Sequence, residues 1–375
     1  MNQLKQIVRS TFSDIEDPRC PSEKVTKIRL ADVLIVIMCG VLCGLQKYEE
    51  IEAYGRNNFE FLHNYFGIEN TPSDSTISRI MCALDGDKVA QAIIKIMQSH
   101  VLETGDILAV DGKAMRGTSK KGEPHSALQI LTAYLVESGV VLGQASIHEK
   151  TNEIPVFQEM LENIDVAGKI ITADSMHCQH KTCEKIIDGG GGYVLGLKGN
   201  QGTLKDDVEL FFNDPVNSGD VQTYSAPVEK NGGRLEKRKV SVCNDTTWLS
   251  ANNEWKGLKS VIMVERTTTS SSNGTSSETS YYISSLDKKA AEFLDIIRKH
   301  WGIESMHWLL DVVWEEDNSQ ILSDNGNQSF NAFRKLAIML HRNYIKGLSK
   351  KTKPTTTVNM LNCLMSNNFL VTILS

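Results

Sequence analysis

The chain has 375 residues, of which 41% are hydrophobic, with a net charge of −6 and a pI near 5.9. That is enough apolar material for two domains with separate cores, and the balance is not that of a chain made basic throughout to hold nucleic acid. Its eight cysteines are scattered without a Cys-x-x-Cys pair, and the N-terminus lacks the apolar core of a signal peptide, so reduced thiols in the cytoplasm are expected. The longest apolar run, Val33 to Leu45, has 13 residues, whereas a membrane-spanning helix needs about 20; it is expected to be a buried helix. Charge is unevenly placed. No Asp or Glu occurs from Asn325 to Ser375, where Arg334, Lys335, Arg342, Lys346, Lys350, Lys351 and Lys353 make the segment +7 and leave −13 for the rest. Such a basic end suits either a polyanion contact or a solvated helix with a frayed end.

Residues 1 to about 100 read as helical: one helix over Leu30 to Leu45, a second over Tyr48 to Tyr65, a third through Ile77 to Leu84 capped by Ser73 or Asp74, and a fourth from Asp85 to Leu102. Such a set could include a helix-turn-helix reader exposing Arg79, or serve as a packing or dimerising cap. From Thr104-Gly105 onward strands appear. Asp106 to Asp111 is followed by a hairpin, Ala127 to Val136 and Val140 to Ile147, turning at Glu137-Ser138-Gly139. A helix over Glu153 to Ile164, a strand over Lys169 to Ala173, a helix ended by Gly189 to Gly192 and a strand over Tyr193 to Leu197 complete a mixed α/β sheet. Residues 200 to about 288 read as a β-rich insertion, with strands at Arg234 to Val242, Leu258 to Arg266 and Ser280 to Ser284. The Ser/Thr-rich stretch Thr267 to Thr279 is expected as a flexible tip around Asn273-Gly274. Helices return over Lys288 to Asp311 and Gln328 to Ile345.

Three acids fit metal-dependent phosphoryl chemistry. Asp111 ends the apolar run Ile107 to Val110, Asp174 ends Ile170 to Ala173, and Glu304 lies in the string His300-Trp301-Gly302-Ile303-Glu304-Ser305-Met306-His307-Trp308. Residues just past strand ends line the functional crevice of open sheets. Hard carboxylate oxygens suit two Mg²⁺ ions, or Mn²⁺, which together clamp an in-line displacement at phosphorus. A lone strand-end Asp more often caps a turn. Here Gly112, Lys113 and Arg116 follow Asp111, with cations able to hold phosphates, and Ser175, His177 and Gln179 follow Asp174. Trp301 and Trp308 are read as core residues. The cluster His177, Cys178, His180, Cys183 matches no zinc spacing. Glu315-Glu316-Asp317 is read as a solvated acidic turn. Lys335, Arg342 and Lys346 share a helical face suited to DNA backbone.

Four strings, in order, resemble the motifs of DDE insertion-sequence transposases. They are Ala109 to Gly117, Thr172 to Gln179, the Lys-x-Asn-Gln string Lys198-Gly199-Asn200-Gln201, and His300 to Glu304 with His307 to Asp311. Together with Lys150-Thr151-Asn152-Glu153, Asp17-Pro18-Arg19 and Pro72-Ser73-x-x-Thr76, they resemble the H-repeat-associated (ISAs-type) branch. The resemblance implies an RNase H-like core with a β-rich insertion, and Asp111, Asp174 and Glu304 as metal ligands. Glu304 is assigned mainly by this likeness. The wider IS-four group has Tyr-x-x-Arg before the Glu and a Lys seven residues after it; Ile297, His300 and Asp311 stand there in this chain. Lys198, Arg298 and His307 are then candidates for the missing phosphate contact, and Asn200 and Gln201 are grouped with them as DNA-binding.

The expectation is therefore an RNase H-like mixed sheet with a β-rich insertion, preceded by an all-helical segment. The divisions are 1–103 (helical, binding DNA ends), 104–350 (catalytic, with the insertion at about 200–288) and 351–375 (a tail). The activity expected is metal-dependent cleavage and joining of double-stranded DNA, at terminal inverted repeats and target DNA. The chain would act as a homo-oligomer in a bacterial cytoplasm, at the nucleoid when on DNA, away from any membrane. A DNA-binding relative without catalysis is one alternative. A carboxylate-pair glycosidase is another, and it leaves the third acid and the Lys-x-Asn-Gln string unexplained.

Overall fold

The computed structural model describes residues 3–19, 28–100, 106–119, 127–147, 152–270, 274–349 and 353–375. In chain order the helices before the sheet are α1 (Gln3–Ser13), α2 (Leu30–Leu42), α3 (Tyr48–Asn57), α4 (Phe59–Phe66), α5 (Asp74–Ala83) and α6 (Gly86–His100). Then come β1 (Ile107–Met115), β2 (Leu128–Leu135), β3 (Val141–Ile147), α7 (Glu153–Asn163), β4 (Ile170–Ala173), α8 (His180–Asp188), β5 (Gly192–Leu197) and α9 (Gly202–Asn213). Next are β6 (Gln222–Ser225), β7 (Glu229–Asn231), β8 (Arg234–Cys243), β9 (Ser260–Ser270) and β10 (Gly274–Ser284). Last are α10 (Ala290–His300), α11 (Gly302–Val312), α12 (Asp324–Gly347), α13 (Thr356–Met365) and α14 (Asn367–Ile373). Packing groups these into two compact units: Met1–Gly105 with Gly112–Thr151 and Glu304–Ser375, and Asp106–Asp111 with Asn152–Ile303.

In the first unit α2 is buried along its whole length, which is why its apolar run shows no periodic polar face. Core-facing backbone there is satisfied by side chains: Trp314 Nε1 donates to the Val41 carbonyl at 3.3 Å, and His341 Nε2 donates to that of Leu42 at 3.0 Å. β2 and β3 form the expected hairpin, with Gly139 at φ 80° in the turn, a conformation that favours glycine. Ser73 caps α5 by accepting from the Thr76 amide.

In the second unit the order is β1-β4-β5-β10-β9-β8-β6, with β7 on β8. β1, β4 and β5 are parallel neighbours, and β5 meets β10 in antiparallel register. Their central residues, among them Leu108, Val110, Ile171, Leu195 and Ile283, are fully buried. The fold class is that expected as a mixed α/β sheet with a β-rich insertion between β5 and α10 and a helical segment before it in the chain.

Three element expectations are corrected. Tyr48 to Tyr65 is two helices, broken at Asn58, whose side-chain amide bonds back to the Tyr54 carbonyl at 3.0 Å and competes with helix continuation. Lys288 to Asp311 is also two, with Trp301 as the cap of α10 and Gly302 opening α11. The Ser/Thr stretch is not a long flexible tip. β9 and β10 stay in register from Ser260↔Ser284 to Ser270↔Gly274, because β-branched threonines favour strands and pair across the ladder, as Thr269 and Thr275 do at 3.0 Å. Asn273 lies outside the described residues. Helices α9, α13 and α14 and strands β6 and β7 were not anticipated.

Candidate active site

Val110 and Ala173 are the last residues that β1 and β4 pair with each other; β4 ends there, whereas β1 runs on to Met115, past the strand end expected at Asp111. Asp111 and Asp174 each come one residue later, Asp111 within β1 and Asp174 just past the end of β4, on adjacent parallel strands. Asp111 is half-buried and Asp174 exposed. Lys198 follows β5, the next parallel strand, whose Leu195 is in register with Ala173; this cation is exposed.

The segment after Asp174 is a single 3₁₀ turn, Ser175–His177. Asp174 caps it, one carboxylate oxygen accepting from the Met176 amide at 3.0 Å, and the Asp174 carbonyl accepts from the His177 amide at 3.2 Å. Asn200 and Gln201, expected at DNA, turn their donors toward this loop. Asn200 Nδ2 donates to the Ser175 carbonyl at 2.6 Å, and Gln201 Nε2 to the Cys178 carbonyl at 3.0 Å. The buried His177 donates from Nε2 to Glu153 at 2.9 Å, and its ring packs edge-on against Phe157. Asn152 caps α7, which places Glu153 in that helix's first turn. The Glu153–His177 pair was not predicted; its only trace in the sequence was the Lys-x-Asn-Glu string, whose Lys150 and Thr151 lie outside the described residues. Elsewhere in this unit, Thr172 on β4 is hydrogen-bonded to His300 at the end of α10 at 2.9 Å. Arg298 is engaged by Glu229 through both terminal nitrogens, at 2.8 and 2.9 Å.

In the first unit Glu304 lies half-buried in the first turn of α11, and His307 is half-buried one turn on. Lys113 is held by Asp311 at 2.7 Å, Glu316 at 3.0 Å and Asp317 at 3.7 Å. Burial acts to lower the Lys113 pKa, but Glu316 and Asp311 outweigh it and hold the ammonium above the usual lysine value. Glu316 is completely buried, which corrects the solvated-turn reading. It accepts from Asn331 at 2.9 Å and pairs with the buried Arg334 at 3.2 Å. Burial works against its ionisation, yet Arg334 and Lys113 keep its pKa low. Arg116 is exposed, with its backbone amide donating to Asp317.

Two further expectations change. Lys335 is buried, donating to Thr132 and Gln144 at 2.7 Å each, so it is not a surface cation. Arg342 and Lys346 share its face and bind the β2–β3 hairpin, Arg342 through the Tyr134 hydroxyl and the Val136 carbonyl and Lys346 through the Glu137 carbonyl. Trp301 and Trp308, read as core, are 59% and 58% exposed; the fully buried tryptophan is Trp314.

As a metal site, Asp111 and Asp174 fit in donor chemistry: hard oxygens one residue past the last pair of two adjacent parallel strands. Among the described residues no three His, Cys, Asp or Glu side chains are grouped closely enough to hold an ion. Among these residues, too, no helix is long and apolar enough to cross a membrane.

The model described as Transposase DDE domain matches residues 103–340, and the DDE_Tnp_1-associated model matches residues 9–97. The Escherichia coli O157:H7 protein named "Putative transposase YncI" is 36% identical over 343 residues, 89% of this chain and 87% of its own length. "H repeat-associated putative transposase YhhI" of Escherichia coli K12 is 33% identical over 358 residues, 92% of each chain. A shorter relative from the same strain, "Inactive transposase YbfQ", is 35% identical over 54 residues, 14% of this chain and 64% of its own. A piggyBac transposase chain, from a synaptic complex with hairpin DNA, is similar at a TM-score of 0.46 and 12% identity. That likeness covers 100% of this chain and 81% of the other.

Proposed function

The chain belongs to the DDE transposase family, and from that premise we propose that it hydrolyses the 3′ strand ends of its element and joins them to target DNA. The observation that carries this reading is the pair Asp111 and Asp174, one residue beyond Val110 and Ala173 on adjacent parallel strands. Glu304 is the third acid of the proposed catalytic set. Its assignment rests on the His300-to-Glu304 string and the likeness that string carries. These three carboxylates would hold Mg²⁺ or Mn²⁺, which supplies charge neutralisation and polarisation of the attacking and leaving oxygens. One site serves both reactions, because each is attack by an oxygen nucleophile, water or a 3′-hydroxyl, on a phosphodiester. The chain's own contribution is orientation. Lys198 at the edge of β5 and the exposed Arg116 supply cations for backbone phosphates. The helical segment 1–103 is proposed to bind the element ends, in a homo-oligomer that holds two of them.

The test is strand cleavage on DNA carrying the element ends, with Mg²⁺ or Mn²⁺, beside Asp174→Ala. Wild type is expected to nick at the 3′ ends, and the variant to fall by about 10³-fold or more while binding the same DNA. Equal cleavage by the variant sinks the assignment. End binding by wild type with no cleavage in any divalent metal would establish a DNA-binding relative instead.

A further inference from the structure

We propose that Glu153, His177, Asn200 and Gln201 are positioning residues for Asp174, acting on its carboxylate through the turn that follows it. The inference rests on the reading of Asp174 as a metal ligand and adds how this chain holds that ligand in place.

Strand β4 has only four residues, so it offers Asp174 little backbone restraint beyond Ala173. The direction of the carboxylate is set by the 3₁₀ turn it caps, through the bond from the Met176 amide. The turn is in turn held by three side chains from two separate stretches of chain. Asn200 takes the Ser175 carbonyl, Glu153 takes the ring of His177, and Gln201 takes the Cys178 carbonyl. Residues 175, 177 and 178 are thereby each fixed from outside, and Met176 is fixed by Asp174 itself. Gly196 on β5 closes the remaining side: a Cβ there would lie 3.2 Å from the Ser175 amide nitrogen, so the turn sits directly on the strand. Asn200 and Gln201 spend their amide donors on backbone carbonyls, which is how a ligand loop is pre-organised, whereas a DNA contact would present those donors outward. His177 is 1% exposed, so its bond to Glu153 is shielded from water and from competition.

The experiment measures three things on the full chain: Mn²⁺ binding by isothermal titration calorimetry, amide exchange over residues 174–179, and affinity for end DNA in EDTA. For Asn200→Ala, Gln201→Met and Glu153→Ala, Mn²⁺ affinity is expected to fall about 10- to 100-fold. Exchange at Met176, His177 and Cys178 is expected to speed up, and DNA affinity in EDTA to stay within about twofold. Glu153→Gln keeps an acceptor for His177 and is expected to stay near wild type, which separates the bond from mere packing. Unchanged Mn²⁺ affinity with a protected turn in Asn200→Ala overturns the proposal. So does a loss of DNA affinity in EDTA with metal binding intact, which would make Asn200 a DNA contact. Asp174→Ala serves as control. If it binds Mn²⁺ as wild type does, the metal reading fails and takes this inference with it; if it alone loses the metal, only the positioning proposal fails.

Discussion

A lysine ammonium shut away from water must be matched by a charge or shed its proton. Lys335 has two neutral oxygens, Thr132 Oγ1 and Gln144 Oε1, within hydrogen-bond reach. Burial pushes its pKa from 10.5 down to about 7, partly offset by Glu316. Between pH 7 and about 10.4 the unfolded chain then holds a proton that the folded chain has released, so stability rises with pH across that window, and below it the full cost of burying the charge is present. Lys335→Met removes this titration. Urea unfolding from pH 6 to 10 is expected to show the variant at its greatest relative advantage at pH 6. That advantage should shrink with rising pH by an amount on the order of a few kcal/mol. A difference that stays flat over the window would show that Lys335 is not titrating there. This residue also marks a limit of reading sequence. The basic segment after Asn325 is visible as charge, but the face on which Lys335, Arg342 and Lys346 lie is turned to the β2–β3 hairpin, and spacing alone does not say which face of a helix meets solvent. The tryptophans fail in the same way. Trp301 caps a helix that the periodicity carried straight on, and the tryptophans that fill cores, Trp255 and Trp314, lie outside the string that drew notice.

Among the elements, β4, β5 and the first half of β1 were legible because each is a short apolar run followed by a polar residue, and buried parallel strands read that way; the continuation of β1 to Met115 was not, since Asp111, Gly112 and Lys113 interrupt the apolar run. With them the positions of Asp111 and Asp174 were legible too. The breaks at Asn58 and Trp301 were not, since each depends on a local competition that hydrophobic spacing does not register. The role of Lys113 was half-legible: a cation beside an active-site strand suggests phosphate, but its carboxylate partners, Asp311, Glu316 and Asp317, lie some two hundred residues away. Together they tie the C-terminal half of β1 to the helix carrying Glu304 and to the turn at Glu316–Asn318. Removing a buried partner costs about 3–5 kcal/mol because the opposite charges stay behind. Lys113→Met is therefore expected to destabilise by roughly that amount, since it leaves the fully buried Glu316 with Arg334 as its cation. Asp311→Asn, at a half-exposed position, should cost about 1 kcal/mol or less. Denaturant unfolding of both single variants and the double tests this: a double variant less destabilised than the sum of the two would show direct coupling. Strict additivity would mean that Lys113 and Asp311 do not act as a pair.

For the molecule as a whole, the DNA binding proposed above raises the question of which positive charges would meet the DNA, given a net charge of −6. The +7 segment looked like the answer. Of its cations, Arg334 and Lys335 are buried, Arg334 is neutralised by Glu316, and Arg342 and Lys346 are spent on the β2–β3 hairpin. Arg298 is matched by Glu229. The proposed phosphate contacts are then exposed cations such as Arg116, just after β1, and Lys198, just after β5. Each phosphate neutralised by a cation contributes about −0.9 to the slope of log affinity against log salt on duplex DNA. Lys198→Gln and Arg116→Gln are therefore each expected to flatten the slope by about 1 and to weaken binding to all sequences alike. Arg342→Gln with Lys346→Gln should leave the slope unchanged and lower thermal stability instead, because the hairpin loses the side chains bound to it. The measurement is end-DNA affinity at several salt concentrations without divalent metal, beside melting of each variant. A flattened slope in the Arg342/Lys346 double variant at unchanged stability would return the basic segment to the DNA surface and remove the argument for Lys198.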